Sequence, residues 1–483
     1  MWNGIQRAAR IVAGLAAALA AVPTACGAGE VEITLDEAIE RALEHNLELA
    51  QGAIGVAGAE LDAERARETV RGFKVVPEGE AGIGGERAGS RAGIRAEATA
   101  PMGTKITAGG GVRHSEADGA ADLRRSELRV EISQPLFRNF GALARNEPAT
   151  AAGETWMAAR RAWERDRSAL ALRVAEQYEG LIFLLHQIEG DEAFAGRMER
   201  LWALADARER QGKTTRTEVL RMDLQRGEAA VRLEGNQSRL EVQFREFADL
   251  LGMPQETAIR LTPPPLLDLA LEGTDRAVEV ALAERPDYAQ ALHDVETADR
   301  KLLLARRALL PDLRLVAGRT TYGEGEDWKD AGRLDQNDWF VGLGANVDLN
   351  MRGTMIGADR AALDAGGRRG VAEIVRRRLA LEVAAAASSY RRSRAELRLA
   401  GQNRELAERR AELSRALFEA GRAGADTVSD AEADLAGAEL AERSVRREAS
   451  VAAYRMLHAL GTLTPAPREL LRGGAEKGKK NED

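Results

Sequence analysis

The sequence predicts a mainly helical protein with a smaller β component, built from two copies of one unit. Across the helical part, segments recur at a constant offset of 209 positions: Leu170–Val174 returns as Leu379–Val383, and Gly212 returns as Gly421. Ala, Arg, Leu and Glu dominate the composition, which is typical of long helices with charged faces. Two Gly-rich stretches instead alternate apolar and polar residues with period two, which indicates strands. A long internal offset of this kind predicts a tandem duplication.

The first 28 residues predict a secretory signal. Arg7 and Arg10 precede an apolar run from Ile11 to Val22, and small residues follow it. The run is too short to span a bilayer as a helix, and its flanks are those of a cleaved signal. We therefore exclude residues 1–28 from the predicted fold and expect an exported protein.

The only cysteine is Cys26, at the end of the signal segment. A single cysteine excludes an intramolecular disulfide and a cysteine metal site. Its position permits lipid attachment to the thiol after cleavage, although Pro23 stands where an aliphatic residue is usual. The alternatives are that Cys26 is removed with the signal or stays as an inert residue.

The first repeat is predicted over residues 33–260. It begins with a helix from Leu35 to about Arg71. A β segment follows at 77–135, where the period changes to two. Long helices then occupy 148–252 and are interrupted at Gly212.

The opening helix carries its own start signal. Thr34 is a plausible N-cap and Glu37 lies three residues later, which is the capping-box pattern. The corresponding helix of the second copy is predicted from Arg276 to Leu309.

The second repeat is predicted over 276–463, after a Pro-rich connection at 261–275. Its β segment is 311–349 and its long helices occupy 356–461. The polar residues 464–483 predict a disordered tail.

The residues contain no constellation that indicates catalysis. The histidines are scattered without metal-ligand spacing: His45, His114, His186, His293 and His458. We therefore expect no enzyme activity, no cofactor and no metal site. The net charge of −8 argues against a nucleic-acid partner.

Both the strands and the helices require partners. Each half has too few strands to close a barrel, and open strand edges are not tolerated in lipid. Helices of this length are marginal alone in water. The chain is therefore expected to assemble with copies of itself, which would close the sheet and the helices together.

Several motifs, in this order, resemble the TolC-like outer-membrane efflux protein family. They are Leu35–Asn46, Ile132–Phe137, Arg285–Asp287 followed by Leu310–Leu313, and Phe418–Gly421. The resemblance covers about residues 33 to 463. It implies a homotrimer whose protomers each give four strands to a twelve-stranded outer-membrane β-barrel, and whose helices form a tube through the periplasm.

The family resemblance also implies a function. The chain would be a passive export channel of a tripartite efflux or type I secretion system, surrounded by outer-membrane lipid. Its partners would be a periplasmic adaptor protein and an inner-membrane transporter of the RND or ABC type. The rival interpretation is a periplasmic coiled-coil tether or scaffold lipoprotein without a pore, and the alternating strands argue against it.

The first half departs from the family pattern. From Leu43 to Gln134 it spans 91 positions, whereas the matching interval from Leu282 to Asp348 spans 66. The excess predicts an extra or extended hairpin in the first β segment. Its turns are predicted at Pro101–Gly103 and between Glu116 and Asp122.

The resemblance assigns roles to both helix interruptions. It implies that they lie at the periplasmic tip of the tube, where Asp430 matches an aperture acid of the family and Asp426 lies beside a second such position. Rings of these acids would form a cation-selective gate. The alternative is that both acids only complement a helix N-terminus. The residues expected to contact the adaptor are Gly212, Lys213, Glu218 and Gly421.

Overall fold

The computed structural model describes residues 31–84, 87–100, 102–117, 123–212, 215–270, 273–347, 350–420, 422–423 and 425–464. The helices in this part of the chain are α1 Leu35–His45, α2 Leu47–Arg71, α3 Ala142–Arg210, α4 Arg216–Leu250, α5 Thr274–Glu284, α6 Pro286–Arg307, α7 Trp328–Ala331, α8 Arg352–Glu419 and α9 Ala425–Leu460. The strands are β1 Val31–Ile33, β2 Lys74–Gly84, β3 Arg87–Thr99, β4 Lys105–Ala117, β5 Leu123–Pro135, β6 Ile259–Leu261, β7 Asp312–Gly325 and β8 Gln336–Asn346.

The order of elements repeats, which confirms the predicted duplication of a mainly helical fold. From β1 to α4 the chain forms a short strand, two helices, antiparallel strands, a very long helix and a shorter helix. From β6 to α9 it forms the same series again, with the short helix α7 inserted between β7 and β8. The predicted signal segment 1–28 and the tail from residue 465 lie outside the described residues.

The described residues form two compact units. The helical unit comprises those within Met1–Ile54, Arg161–Ala289 and Ile374–Asp483. The sheet unit comprises those within Gly55–Arg160 and Gln290–Glu373.

A six-stranded sheet dominates the sheet unit, in the order β2-β3-β4-β5-β7-β8. Every neighbouring pair is antiparallel, and β5 joins the two halves of the chain by pairing with β7. The four strands that the resemblance implied are therefore too few. The first half supplies four strands and the second supplies two, and β2 with β3 forms the extra hairpin that the length excess predicted.

The two predicted turns of the first β segment fall between its strands. The Gly103 N–H donates to the Ala100 carbonyl at 2.9 Å, and the Ala100 N–H donates to the Thr104 carbonyl at 2.8 Å. Gly103 has a φ of +89°, a left-handed conformation that glycine adopts at little cost. Around the second predicted turn β4 ends at Ala117 and β5 begins at Leu123. Pro101 of the first turn and residues 118–122 of the second lie outside the described residues.

Three element boundaries were predicted too late. Strand β2 begins at Lys74 rather than 77, α3 at Ala142 rather than 148, and α8 at Arg352 rather than 356. Pro148 lies inside α3, in its second turn. A proline so near the start of a helix removes one backbone hydrogen bond, and a helix of 69 residues accommodates that loss.

The single opening helix predicted over 35–71 was wrong, because Asn46 divides it. Asn46 has extended backbone angles, φ −67° and ψ 126°. Its buried side chain replaces the lost helical bonds: Oδ1 accepts from the Leu49 N–H at 3.1 Å and Nδ2 donates to the Leu250 carbonyl at 3.1 Å.

The predicted capping box of α1 is confirmed, with the Thr34 N–H donating to Glu37 at 2.9 Å. These hydrogen bonds lower the pKa of Glu37.

The helix predicted over 276–309 is divided in the same way at Arg285. Pro286 follows it, and a residue before proline disfavours the helical conformation. The Arg285 guanidinium donates to Glu382 at 2.9 Å and to the His458 carbonyl at 3.4 Å. Each break is thus fastened to the last helix of its own repeat, Asn46 to the end of α4 and Arg285 to the end of α9.

Two buried tyrosines anchor extended chain to the long helices. The Tyr178 hydroxyl donates to the carbonyls of Ile33 at 2.8 Å and Thr262 at 2.7 Å, beside the parallel pair β1 and β6. Burial raises the pKa of Tyr178 to about 12. In the second repeat the Tyr390 hydroxyl accepts from the Leu269 N–H at 2.9 Å. The tyrosines satisfy polar backbone atoms that would otherwise be buried without partners.

The four long helices of the helical unit lie side by side in the order α4-α3-α9-α8. Thin apolar seams separate them, built mainly from Ala, Leu and Val side chains. Ion pairs cross each seam: Arg226–Glu199 at 3.3 Å, Arg455–Glu176 at 2.8 Å and Arg404–Glu442 at 2.8 Å. Side-by-side packing explains how a chain with 4% aromatic residues stabilises such long helices.

Arg300 holds α6 against α3 within the sheet unit. Its guanidinium donates to Glu147 at 2.8 Å and to Glu154 at 2.6 Å. The hydrogen bond from Arg300 lowers the pKa of Glu154, and the same bond raises the pKa of Arg300. One guanidinium therefore binds two carboxylates.

Gly252 and Gly461 mark equivalent ends of the two repeats. Both have a positive φ, +66° and +77°. A Cβ on Gly252 would lie 2.5 Å from the His45 carbonyl oxygen, and one on Gly461 would lie 3.2 Å from the Glu284 carbonyl carbon. The recurring glycine thus lets each last helix end against the helix break of its own repeat.

We predict that Gly252→Ala lowers the free energy of unfolding by roughly 2–5 kcal/mol, because it combines left-handed strain with a backbone clash. Gly212→Ala is the matched control. Gly212 has a φ of +68° but open space around its Cβ position, so we expect a loss of about 1–2 kcal/mol. Thermal unfolding of both variants in detergent measures the difference, and equal losses would contradict the packing role of Gly252.

Candidate functional site

The first predicted tip lies between α3 and α4. The Gly212 N–H donates to the Glu209 carbonyl at 2.8 Å, so the helix closes on a left-handed glycine. Thr215 caps the next helix, and its hydroxyl accepts from the Glu218 N–H at 3.4 Å. Gly212 therefore lies at the end of α3, and Glu218 lies in the first turn of α4. Lys213 lies outside the described residues.

The second predicted tip lies between α8 and α9. The Arg422 N–H donates to the Leu417 carbonyl at 2.8 Å, which ends α8. Asp430 follows in the second turn of α9, where it is exposed. No hydrogen bond or ion pair joins its carboxylate to another described side chain. Gly421 lies outside the described residues, and so does the side chain of Asp426.

Two residues after Asp430, a buried carboxylate connects three helices. Sequence reasoning missed this residue. Glu432 is 4% exposed. It accepts from Arg415 of α8 and pairs with Arg197 of α3 at 3.2 Å. The hydrogen bond to Glu432 raises the pKa of Arg415. Asp430 therefore stands on a helix end that a paired charge cluster holds in place.

A second buried carboxylate lies farther along the seam between α3 and α9. Glu179 is 5% exposed and accepts a hydrogen bond from the Ser450 hydroxyl. Burial raises the pKa of Glu179, although the hydrogen bond from Ser450 and the charges of Arg446 and Arg447 oppose this. The folded protein therefore favours the protonated form more than the unfolded chain does.

In the sheet unit, one face of the sheet is apolar across its strands. Directly opposed residues share a face, and one such row is Ala98, Ile106, Ile132, Ala317 and Val341. Polar residues on this face gather near one end, and Gln134 lies toward the other; those near the first end are Ser90, His114, Arg124, Ser126, Arg319, Thr321 and Asn337. The apolar face comprises Val75, Pro77, Gly79, Ala81, Ala92, Ile94, Ala96, Ala98, Ile106, Ala108, Val112, Leu128, Val130, Ile132, Leu313, Leu315, Ala317, Trp339, Val341, Leu343 and Ala345.

Large members of the apolar face are unusually open. Ile94 is 61% exposed, Leu128 52% and Leu343 72%. An apolar surface of this extent requires a partner or an apolar surrounding.

The opposite face of the sheet is charged, and ion pairs run across its strands. They are Glu78–Arg95 at 2.6 Å, Glu97–Lys105 at 3.2 Å, Arg91–Glu127 at 3.5 Å and Arg125–Glu324 at 2.7 Å. Strands of membrane β-barrels show the same alternation of apolar and polar side chains.

None of the described helices is both long and apolar enough to cross a membrane. Among the described residues, no group of three or more His, Cys, Asp or Glu side chains could hold a metal ion.

Comparison with known proteins agrees with this architecture. Residues 277–462 match the family described as outer membrane efflux protein. The second repeat is therefore similar to that family, which confirms the resemblance found in the sequence. No curated protein matches the chain.

Solved structures extend the likeness over most of the chain. The outer-membrane channel OprN is 17% identical, with a TM-score of 0.68 over 89% of this chain and 90% of its own. The outer membrane protein VceC from Vibrio cholerae is 18% identical, with a TM-score of 0.67 over 88% and 96%. The CmeC outer membrane channel from Campylobacter jejuni is 14% identical, with a TM-score of 0.66 over 92% and 89%. At these identities the likeness establishes the fold of both repeats.

We predict that Glu179→Gln stabilises the protein more at pH 8 than at pH 4.5. The folded pKa of Glu179 is raised above the usual value of 4.5, so its contribution to stability is lost as pH rises from 4.5 through the folded pKa. Glutamine keeps the hydrogen-bonding shape without the buried charge. Thermal midpoints of both proteins at the two pH values measure the effect.

The control for this measurement is Glu176→Gln, which removes a more exposed carboxylate from the same helix. A Glu179→Gln effect that is the same at both pH values would contradict the raised pKa.

Proposed function

We propose that this protein is the outer-membrane channel of a tripartite efflux or type I secretion system. One observation carries the proposal: a chain whose second repeat is similar to the outer membrane efflux protein family has a sheet that is apolar on one face and charged on the other. The apolar face would contact outer-membrane lipid, and the charged face would line water. The long helices would extend the channel through the periplasm.

The channel is a homotrimer in this proposal. In the described part of the chain, the sheet has two open edges, β2 and β8. Unpaired backbone groups at such edges cost several kcal/mol each in lipid. Copies related by a symmetry axis would pair these edges and enclose a lumen. Solved proteins of similar fold are outer-membrane channels, which supports an enclosed lumen.

The helix ends near Gly212, Lys213, Glu218 and Gly421 would contact a periplasmic adaptor protein. Helix ends present unpaired backbone groups and side chains that a partner can bind. The adaptor would connect the channel to an inner-membrane transporter of the RND or ABC type, which supplies the energy. The channel itself would be passive. Lipid attachment at Cys26 would add an anchor, but a single acyl chain binds a membrane only marginally.

Asp430, with Asp426, would form the gate. The support is that Asp430 is exposed on α9 and has no paired cation among the described side chains, whereas the neighbouring Glu432 is buried and paired. Three unpaired carboxylates around one axis would attract cations and repel anions. A tether without a pore would leave the open apolar face of the sheet unexplained.

The proposal is tested by adding purified protein to planar lipid bilayers and recording current. We expect stable, cation-selective conductance steps. An absence of steps from protein that is verifiably inserted in the bilayer would contradict the proposed function.

For the gate, we expect Asp430→Asn to weaken block by multivalent cations by roughly three- to tenfold, because three charges leave the constriction. Asp434→Asn is the control, since that acid lies one turn farther along α9 and is already paired with Arg410. Equal block in the native protein and in Asp430→Asn would remove Asp430 from the gate.

A further inference from the structure

We propose that the extra hairpin β2–β3 is part of the membrane wall, and that β2 of one copy pairs with β8 of the next to close an eighteen-stranded barrel. This inference rests on the proposed function and names the interface within it. Three copies of a six-stranded sheet give eighteen strands, in place of the twelve that four strands per copy would give.

The extra hairpin has the same two faces as the rest of the sheet. Val75 faces Ala96 and Pro77 faces Ile94, so the apolar face continues onto it. On the charged face, Arg91 of β3 pairs with Glu127 of β5 at 3.5 Å, across the intervening strand β4. A hairpin that only covered the channel from outside the membrane would not need an apolar face in register with the membrane strands.

The hairpin is also long enough to cross the bilayer. Strand β2 has 11 residues and β3 has 13. A transmembrane strand needs about 9–11 residues. The turn between β3 and β4 and the turn between β4 and β5 lie at opposite ends of the strands, as in an up-and-down wall.

The two edge strands can pair antiparallel, and they have equal length. Because six strands alternate in direction, β2 and β8 run oppositely, and β8 of one copy would pair antiparallel with β2 of the next. Both strands have 11 residues. Full overlap places Lys74 opposite Asn346 and Gly84 opposite Gln336.

This register keeps the two faces continuous. On the apolar face it sets Val75 opposite Ala345, Pro77 opposite Leu343 and Gly79 opposite Val341. Pro77 contributes no N–H to a ladder, which is tolerated in the edge strand of a single chain and removes at most one hydrogen bond from the interface.

The same register gives an acceptable barrel. Within the chain, the row of directly opposed residues that starts at Lys74, the first residue of β2, reaches Phe340, which lies six positions before the end of β8. Full edge overlap continues that stagger from copy to copy. With strands about 4.8 Å apart and about 3.3 Å per residue, the strand tilt is about 35°, at the lower end of the usual range. The barrel would be about 34 Å across, against about 23 Å for twelve strands.

Disulfide formation between copies tests the interface. The full chain carrying Val75→Cys and Ala345→Cys is oxidised in its membrane, and denaturing gels report the products. We expect covalent two-chain and three-chain species, because cross-strand neighbours come within disulfide reach. The single variants Val75→Cys and Ala345→Cys control for any reaction of Cys26. Val75→Cys with Val341→Cys keeps the same face but moves one cysteine four positions along the strand, and we expect no such products.

A second pair tests the twelve-stranded alternative. If β4 were the edge, a full overlap of β4 with β8 of the next copy would put Ile106 opposite Ala345. Inter-chain products from Ile106→Cys with Ala345→Cys, and none from Val75→Cys with Ala345→Cys, would overturn the proposal. Products from the displaced Val75→Cys/Val341→Cys pair at equal yield would overturn the register.

Native mass spectrometry of the unoxidised protein distinguishes failure of the proposed β2–β8 interface from failure of the proposed channel function. A three-chain mass without products from the Val75→Cys/Ala345→Cys pair would overturn the interface but leave the trimeric channel in place. A one-chain mass would overturn the proposed function itself.

Discussion

The rest of the structure depends on one constraint: the backbone N–H and C=O groups along the two outer strands of the sheet need hydrogen-bond partners. Among the described strands, β2 and β8 each pair with a neighbour on one side only. In water such edges can bind solvent, but the exposed apolar face makes water the wrong surrounding for this sheet. Burial of the face and pairing of the edges must therefore occur together. Self-association with rotational symmetry would pair the edges, and lipid around the closed sheet would cover the apolar face.

A different interaction stabilises the helical unit. Its helices are too long to be stable alone, and few aromatic residues are present to build a thick core. Each of the two repeats contains the same kind of stabilising contact. In each repeat a polar side chain at a helix break binds the end of the last helix: Asn46 reaches the Leu250 carbonyl, and Arg285 reaches the His458 carbonyl. Gly252 and Gly461 then allow close backbone contact at the same two places.

Buried charged residues along the seams help to fix the helices relative to one another. Glu432 binds Arg415 and Arg197, so it fixes α8, α9 and α3 relative to one another near the helix ends. Removing one partner from such a cluster leaves a buried charge uncompensated, which is strongly unfavourable. Glu179 contributes differently, because burial opposes its ionisation and only Ser450 and nearby arginines offset the effect. The exposed Asp430 thus lies on a helix whose position is set by its paired neighbours.

The sequence predicted the features that depend on local pattern. The capping box at Thr34, the strand alternation around Val341 and the duplication all follow from spacing alone. The breaks at Asn46 and Arg285 were missed, because Asn46 leaves the helix in exchange for a bond to a residue far along the chain, and Pro286 was counted as part of the helix instead of its start. Pro148 caused the start of α3 to be predicted too late, since a proline is tolerated near a helix start. The roles of Glu432 and Arg197 could not be predicted, because their burial arises only when three helices pack.

Electron microscopy of the purified protein in lipid nanodiscs tests the central claim most directly. We predict threefold particles with a continuous lumen and a helical tube of order 100 Å, as helices of this length require. Single-chain particles, or assemblies without a lumen, would contradict it.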